Sequence, residues 1–308
     1  MLLAVGGNSL IRAGEKGTVA EQRANARRTA AEIVGLCQAG YQIVLTHGNG
    51  PQVGAALLRS ERAASLVPGH PLDVCDAATQ GEIGYLLQQA LETELTIQGV
   101  KTPVVTVVTQ SVVSPEDPAM QRPTKPIGPF YSRAEAEERS RQFGWEIVED
   151  AARGYRRVVP SPEPIEIMEL EVIRDLAERG VLVIACGGGG IPVLFRRDEV
   201  VGVEAVIDKD RVSSLLASDL EADLFLISTS VERVALHFGT PRQQPLSQLS
   251  AQETRRYLDE RQFPPGSMGP KIEAALDYLE RGGKLVIITS PESIPDALAG
   301  LAGTRITP

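Results

Sequence analysis

A chain of 308 residues, 43% apolar and 23% charged, holds enough apolar material for a large buried core, as one big α/β domain or two lobes. Its formal net charge of −9 argues against nucleic acid or an anionic membrane as the main partner. No run approaches the roughly 18 apolar residues of a membrane helix, and the opening residues (MLLAVGGN) carry neither a basic region nor the apolar stretch of a signal peptide, so a cytoplasmic protein is expected.

In chain order, residues 2–5 read as a first strand running straight into Gly6, Gly7, Asn8 and Ser9. A helix follows over 20–38, stopped by Gly40, and then a strand over 41–46 that ends in His47, Gly48, Asn49, Gly50 and Pro51. Pro51 suits the first turn of the next helix, over 52–66, because its missing N–H is not needed there. Two successive strands thus end in Gly-Asn loops that open toward helices. In a parallel sheet such loops share the carboxyl edge of the strands, where ligands bind. Residues 71–77 are expected to form a loop and 79–97 a helix, whose Gly81 and Gly84 suit either close packing or a ligand; 103–109 reads as the third strand.

Between about 114 and 162 the character changes. Prolines crowd in, a short charged helix spans 132–142, and the rest reads as an insertion with its own small sheet. Lys125 lies between Pro123 and Pro126, whose rings restrict the local backbone; a solvated lysine needs no such stiffening, so it is read as aimed at a partner. A helix is expected over 165–179, its apolar face made of Ile167, Leu170, Ile173, Leu176 and Ala177. Then comes the stretch that organises the rest: a β-branched run over 181–186, four glycines from Gly187 to Gly190, a charged turn at Arg196 to Glu199, and Asp208, Lys209 and Asp210 ahead of a helix over 211–220. Bare glycines after a strand are expected to leave amide N–H groups uncovered for a ligand. The remainder reads as strands over 224–228, 234–237 and 284–289, helices over 250–260 and 272–280, and a loop over 263–271. Strands alternating with helices indicate a mostly parallel sheet covered on both faces.

Neither a phosphate-binding P-loop nor a dinucleotide fingerprint occurs. Cys37, Cys75 and Cys186 read as reduced core thiols, and the three histidines (His47, His70, His237) share no ligand spacing, so no metal held by protein ligands is expected. Glycine loops and isolated lysines (Lys125, Lys209, Lys271) are the equipment of phosphoryl transfer by positioning and charge neutralisation.

Seven stretches together carry a family resemblance: Gly6-Gly7-Asn8, 46–54 (THGNGPQVG), 123–131 (PTKPIGPFY), 156–162 (RRVVPSP), 187–193 (GGGGIPV), 202–210 (GVEAVIDKD) and 266–271 (GSMGPK). In order and across almost the whole chain they resemble the motif set of carbamate kinases, in the amino acid kinase superfamily. The resemblance implies an open three-layer αβα sandwich with a mostly parallel central sheet, a small protruding subdomain at about 114–162, and a homodimer. It implies a division into 1–210, the carbamate and phosphoryl acceptor side, and 211–308, the nucleotide side. It also implies ATP + carbamate ⇌ ADP + carbamoyl phosphate, with Mg2+ held through the nucleotide phosphates and the flux directed to ATP formation in arginine or purine-derived catabolism.

By the same resemblance Lys125, Lys209, Asp210 and Lys271 are catalytic. Gly6, Gly7, Asn8, Gly48, Asn49 and Gly50 hold the substrate. Gly188, Gly189, Lys209, Ser230, Met268, Gly269 and Lys271 hold the nucleotide. The chain departs from the family at Ser230 and Ser114, where Asp is usual. A related kinase for another carboxylate and a weakly catalytic nucleotide or carbamoyl phosphate sensor remain the alternatives.

Overall fold

Leu2–Val5 has four apolar residues in a row with no polar alternation, a pattern that only a strand covered on both faces can bury. In the computed structural model, which describes residues 1–6, 10–12, 14–150 and 154–308, these side chains are at most 3% exposed. The strand sits inside an eight-stranded sheet of order Gln248–Ser250, Thr304–Thr307, Val286–Thr289, Phe225–Ser228, Leu2–Val5, Val44–His47, Leu182–Ile184, Val104–Thr106. Every neighbouring pair is parallel except Val286–Thr289 with Thr304–Thr307.

Alternate residues of each strand enter opposite cores, as the two-residue side-chain period requires. Leu2, Ala4, Val44, Val183, Phe225, Ile227, Val286 and Ile288 pack against helices Leu170–Glu178, Lys209–Asp219 and Met268–Glu280. Leu3, Val5, Leu45, Ile184, Leu226 and Ile287 face helices Val19–Gln38 and Leu72–Gln98. This is the expected αβα sandwich.

A second sheet joins Glu199–Gly202, Ile191–Arg196, Gln110–Val113 and Pro164–Ile167. It corrects two expectations. Residues 165–167 are strand, paired antiparallel with Gln110–Val113, and the helix begins only at Leu170. The strand Gln110–Val113 lies beyond the one expected at 103–109, which is shorter, Val104–Thr106. The expected loop over 71–77 is also absent, because helix Leu72–Gln98 starts directly after Pro71, with Leu72, Cys75, Asp76 and Thr79 buried along one face.

Residues 114–162 contain a three-stranded antiparallel sheet, Lys125–Tyr131, Tyr155–Val159 and Glu146–Glu149, with helix Arg133–Phe143 beside it. Helix Gly50–Ala63 packs on its first strand. Their closest approach is between two glycines, since a Cβ on Gly54 would lie 1.9 Å from the Gly128 Cα. Ile127 and Val159 are buried there with Val53, Leu57, Leu72 and Val206, and Arg157 pairs with Glu61 at 2.9 Å. No described helix is long and apolar enough to cross a membrane.

Candidate active site

The sheet register sets the site. Val5 is level with His47 on one side and Ser228 on the other, so Gly6, Gly48 and Thr229 leave the sheet along a common edge. Gly6 needs its missing Cβ, which would meet the Ser228 carbonyl at 3.2 Å. Gly7 and Asn8, expected here as substrate ligands, lie outside the described residues. Gly48 and Gly50 are partly exposed, while Asn49 is buried, and its amide nitrogen donates to Asp76 Oδ1 at 2.9 Å and to Thr79 Oγ1 at 2.8 Å. The Thr79 hydroxyl donates to the Asp76 carbonyl, so it can only accept from Asn49, which fixes how the amide is turned. Burial pushes the Asp76 carboxyl well above the usual carboxylate range, against the opposing effect of the Asn49 hydrogen bond.

The tetraglycine is packed tightly against its neighbours. All four glycines are buried, and the amides of Gly189 and Gly190 donate to the Cys186 and Gly187 carbonyls at 3.1 Å. The Gly189 and Gly190 amides are thus engaged within the loop itself. A Cβ would strike His47 from Gly187, Asn49 from Gly188, Ile207 from Gly189 and Ser111 from Gly190, none farther than 2.5 Å. The glycines form a floor on which the His47–Asn49 loop rests. Gln80 braces it, donating to the Gly187 and Thr109 carbonyls at 3.0 Å. Of the two glycines left open in the Leu72–Gln98 helix, Gly84 serves close packing, because a Cβ there would lie 2.2 Å from Thr106 Cγ2.

Two helix N-termini bring the cations in. Asp208 caps helix Lys209–Asp219 by accepting from the Asp210 amide at 2.9 Å. Ser213, one turn on, is 2.7 Å from Thr46 Oγ1, which fastens this helix under the end of strand Val44–His47. Lys271 sits in the first turn of helix Met268–Glu280, which starts within the loop expected over 263–271; Met268 is partly buried and Gly269 buried beside it. Asp210, only 4% exposed, receives both lysines: Lys209 Nζ at 2.5 Å on Oδ1 and Lys271 Nζ at 2.9 Å on Oδ2. Burial alone would raise the Asp210 carboxyl, but the two ammonium groups outweigh it and hold it below its ordinary value. Burial lowers Lys209 in turn, with Asp210 opposing the shift and Lys271 adding to it.

Lys125, arriving from the three-stranded sheet, pairs with Asp208. Three ammonium groups far apart in sequence are thus distributed over two carboxylates two residues apart. Ser230 is exposed on the loop after Phe225–Ser228. His47 is buried, which pushes it down to about 4; a hydrogen bond to the Gly48 carbonyl resists, and Lys209 adds to the depression. It is neutral at pH 7, so it adds no positive charge to that of the lysines. A cleft of about 610 Å³ adjoins the Gly48–Gly50 loop, lined by Ile11, Gly17, Gln52, Pro129, Phe130 and Arg156 among others. Among the described residues no three His, Cys, Asp or Glu side chains gather as a metal site.

Sequence reasoning missed Asp76, Thr79 and Gln80 as supports of the site, and Asp208 as the partner of Lys125. Only Asp208 carries a sequence signal, an acidic residue directly before a helix.

The amino acid kinase family model matches residues 1–290. A carbamate kinase of Pyrococcus furiosus is 47% identical over all of this chain and 99% of that protein. The carbamate kinase of Giardia lamblia solved with citric acid superposes with a TM-score of 0.95 at 43% identity, covering 99% of this chain and 97% of that one. The same enzyme solved with AMP-PNP gives a TM-score of 0.92, with the same identity and coverage. N-acetylglutamate synthase of Neisseria gonorrhoeae, 17% identical with a TM-score of 0.59, shares the fold. The chain belongs to the amino acid kinase family, on its carbamate kinase branch.

Proposed function

We propose that this chain transfers a phosphoryl group reversibly between ATP and carbamate, forming ADP and carbamoyl phosphate. The observation that carries the reading is the convergence of Lys209 and Lys271 on the buried Asp210 beneath the glycine-lined strand edge. Two anions brought to about 4 Å repel by roughly 4 kcal/mol at an effective dielectric near 20, so fixed cations are the main need of the reaction. Carbamate is already an oxyanion. No general base is required, in keeping with a neutral His47.

In this reading Lys209 and Lys271 hold the transferring and nucleotide phosphates, helped by the positive ends of their two helices. Asp210 fixes both amines and favours the charged form of Lys209. The loops at Gly6 and Gly48–Gly50 seat the carbamoyl end, their backbone held by Asn49, Asp76 and the glycine floor. Lys125 covers the acceptor. Mg2+ held through the nucleotide phosphates would neutralise part of their charge. The acceptor side falls within 1–210, with 114–162 as its protruding part, and the nucleotide side within 211–308, where Ser230, Met268 and Gly269 lie. A cytoplasmic homodimer forming ATP during arginine or purine-derived catabolism completes the proposal.

Protein mixed with Mg-ADP and carbamoyl phosphate is expected to form ATP at many turnovers per second. Acetyl phosphate and acyl phosphates of N-acylated amino acids are expected to serve poorly as donors. Binding of ADP without ATP formation would leave the chain a sensor, and turnover confined to the acylated donors would make it a kinase for a larger carboxylate.

A further inference from the structure

We propose that Asp208 is the positioning residue for Lys125, holding the subdomain ammonium at the site edge through turnover while the remaining N–H groups reach the substrate. The proposal rests on the phosphoryl-transfer reading above.

The two oxygens of Asp208 do separate jobs. Oδ1 accepts the Asp210 amide at 2.9 Å and starts the helix that carries Lys209, while Oδ2 takes Lys125. One side chain therefore couples the inner cation cluster to a strand 83 residues away in sequence. The approach of the two segments is built in. Two residues from each partner, Ile127 and Val206 are buried in a common cluster, and the Val206 amide donates to the Pro160 carbonyl at 3.0 Å.

Charge distribution gives the pair its purpose. Both oxygens of Asp210 are taken by Lys209 and Lys271, so Lys125 has Asp208 as its counter-ion. A cap alone would be served as well by Asn or Ser, without setting a second carboxylate beside Asp210. The pair is half-buried, with 29% of the Lys125 side chain and 15% of the Asp208 side chain exposed. That same exposure leaves the Lys125 side chain partly open to solvent. An ammonium group has three donors, so keeping Asp208 costs it one and leaves two for a phosphoryl or carbamoyl oxygen. Lys209 and Lys271, at 12% and 14%, are held farther in.

The decisive variant is Asp208→Asn, which retains an oxygen for the Asp210 amide and removes the charge. Its thermal midpoint is expected to stay within a few degrees of wild type, and its kcat to fall about tenfold. In a Lys125→Ala background the same change is expected to alter kcat less than about twofold, because the group it acts through is gone. Asp208→Glu keeps the charge but is a poorer cap, and should recover more turnover than Asp208→Asn. Equal losses in both backgrounds would mean that Asp208 works as a cap and not through Lys125. Unchanged kcat in Asp208→Asn would overturn the proposal equally, as would Asn restoring more activity than Glu. If Lys125→Ala is too slow to assay, the order of the Glu and Asn variants still decides. A wild type that forms no ATP would instead remove the reaction on which the proposal rests.

Discussion

Lys209→Ala is expected to lower kcat about a thousandfold while the protein still folds. The estimate follows from what one fixed cation contributes at a transferring phosphoryl group, roughly 10³ to 10⁵ in rate, and from the roughly 10² to 10³ lost with a single preorganised donor. Folding survives because Asp210 keeps Lys271 at 2.9 Å, so the buried carboxylate is not orphaned. Asp210→Asn separates the charge from the amine. Burial and the neighbouring Lys271 both depress Lys209, and Asp210 is the main opposing influence. Without it the ammonium loses its proton at lower pH. The kcat of Asp210→Asn should therefore rise as pH is lowered from about 9 to about 6, while the wild type changes far less over that span. A steady-state profile across that range, with circular dichroism to confirm folding, checks both variants. A Lys209→Ala enzyme within tenfold of wild type would mean that the cation does not face the reacting phosphoryl.

The buried strands were legible because they obey local rules. Leu2–Val5 is apolar at every position and Phe225–Ser228 at its first three, and each is followed by residues that leave the sheet at the same edge. The lysines were legible for a related reason, since each stands where the surroundings are glycine, proline or carboxylate rather than helix surface. What escaped depends on pairing at long range. Pro164–Ile167 is strand because Gln110–Val113, some fifty residues earlier, lies beside it, and Glu169 then ties the helix start to Gln110 through two hydrogen bonds. Ile165, Ile167, Leu170 and Ile173 step by two and then by three, a change of period easily absorbed into one helix. Asp76 escaped because 71–77 looked like a loop; its carboxylate matters only once Asn49 is brought against it. The close packing at the tetraglycine carried no local signal. Glycine opens backbone to any neighbour, and here the neighbours are His47 and Asn49.

The same logic makes Gly54→Ala a severely damaging single methyl for turnover. Its Cβ would sit 1.9 Å from the Gly128 Cα and 2.0 Å from the Gly128 nitrogen, against backbone that no side-chain rotation can clear. The helix Gly50–Ala63 and the strand Lys125–Tyr131 must then part by more than an ångström. Overpacking of this kind typically costs 1–3 kcal/mol, roughly, and alanine returns about 0.8–1.0 kcal/mol by its better helix propensity. Net stability should thus fall by no more than about 2 kcal/mol. Activity should fall by about a hundredfold, because Lys125 moves with its strand away from Asp208, and misplacement by about 1 Å is enough for such a loss. Gly128→Ala is the internal comparison. Its φ of +73° strains any side chain, yet its Cβ would meet Gly54 only at 3.5 Å, an ordinary contact. It should cost about 1–2 kcal/mol of stability and much less turnover. The two variants should therefore be similar in melting midpoint, with Gly54→Ala far more damaging to kcat. Equal turnover in the two variants would show that docking of the three-stranded sheet against the Gly50–Ala63 helix does not govern where Lys125 stands.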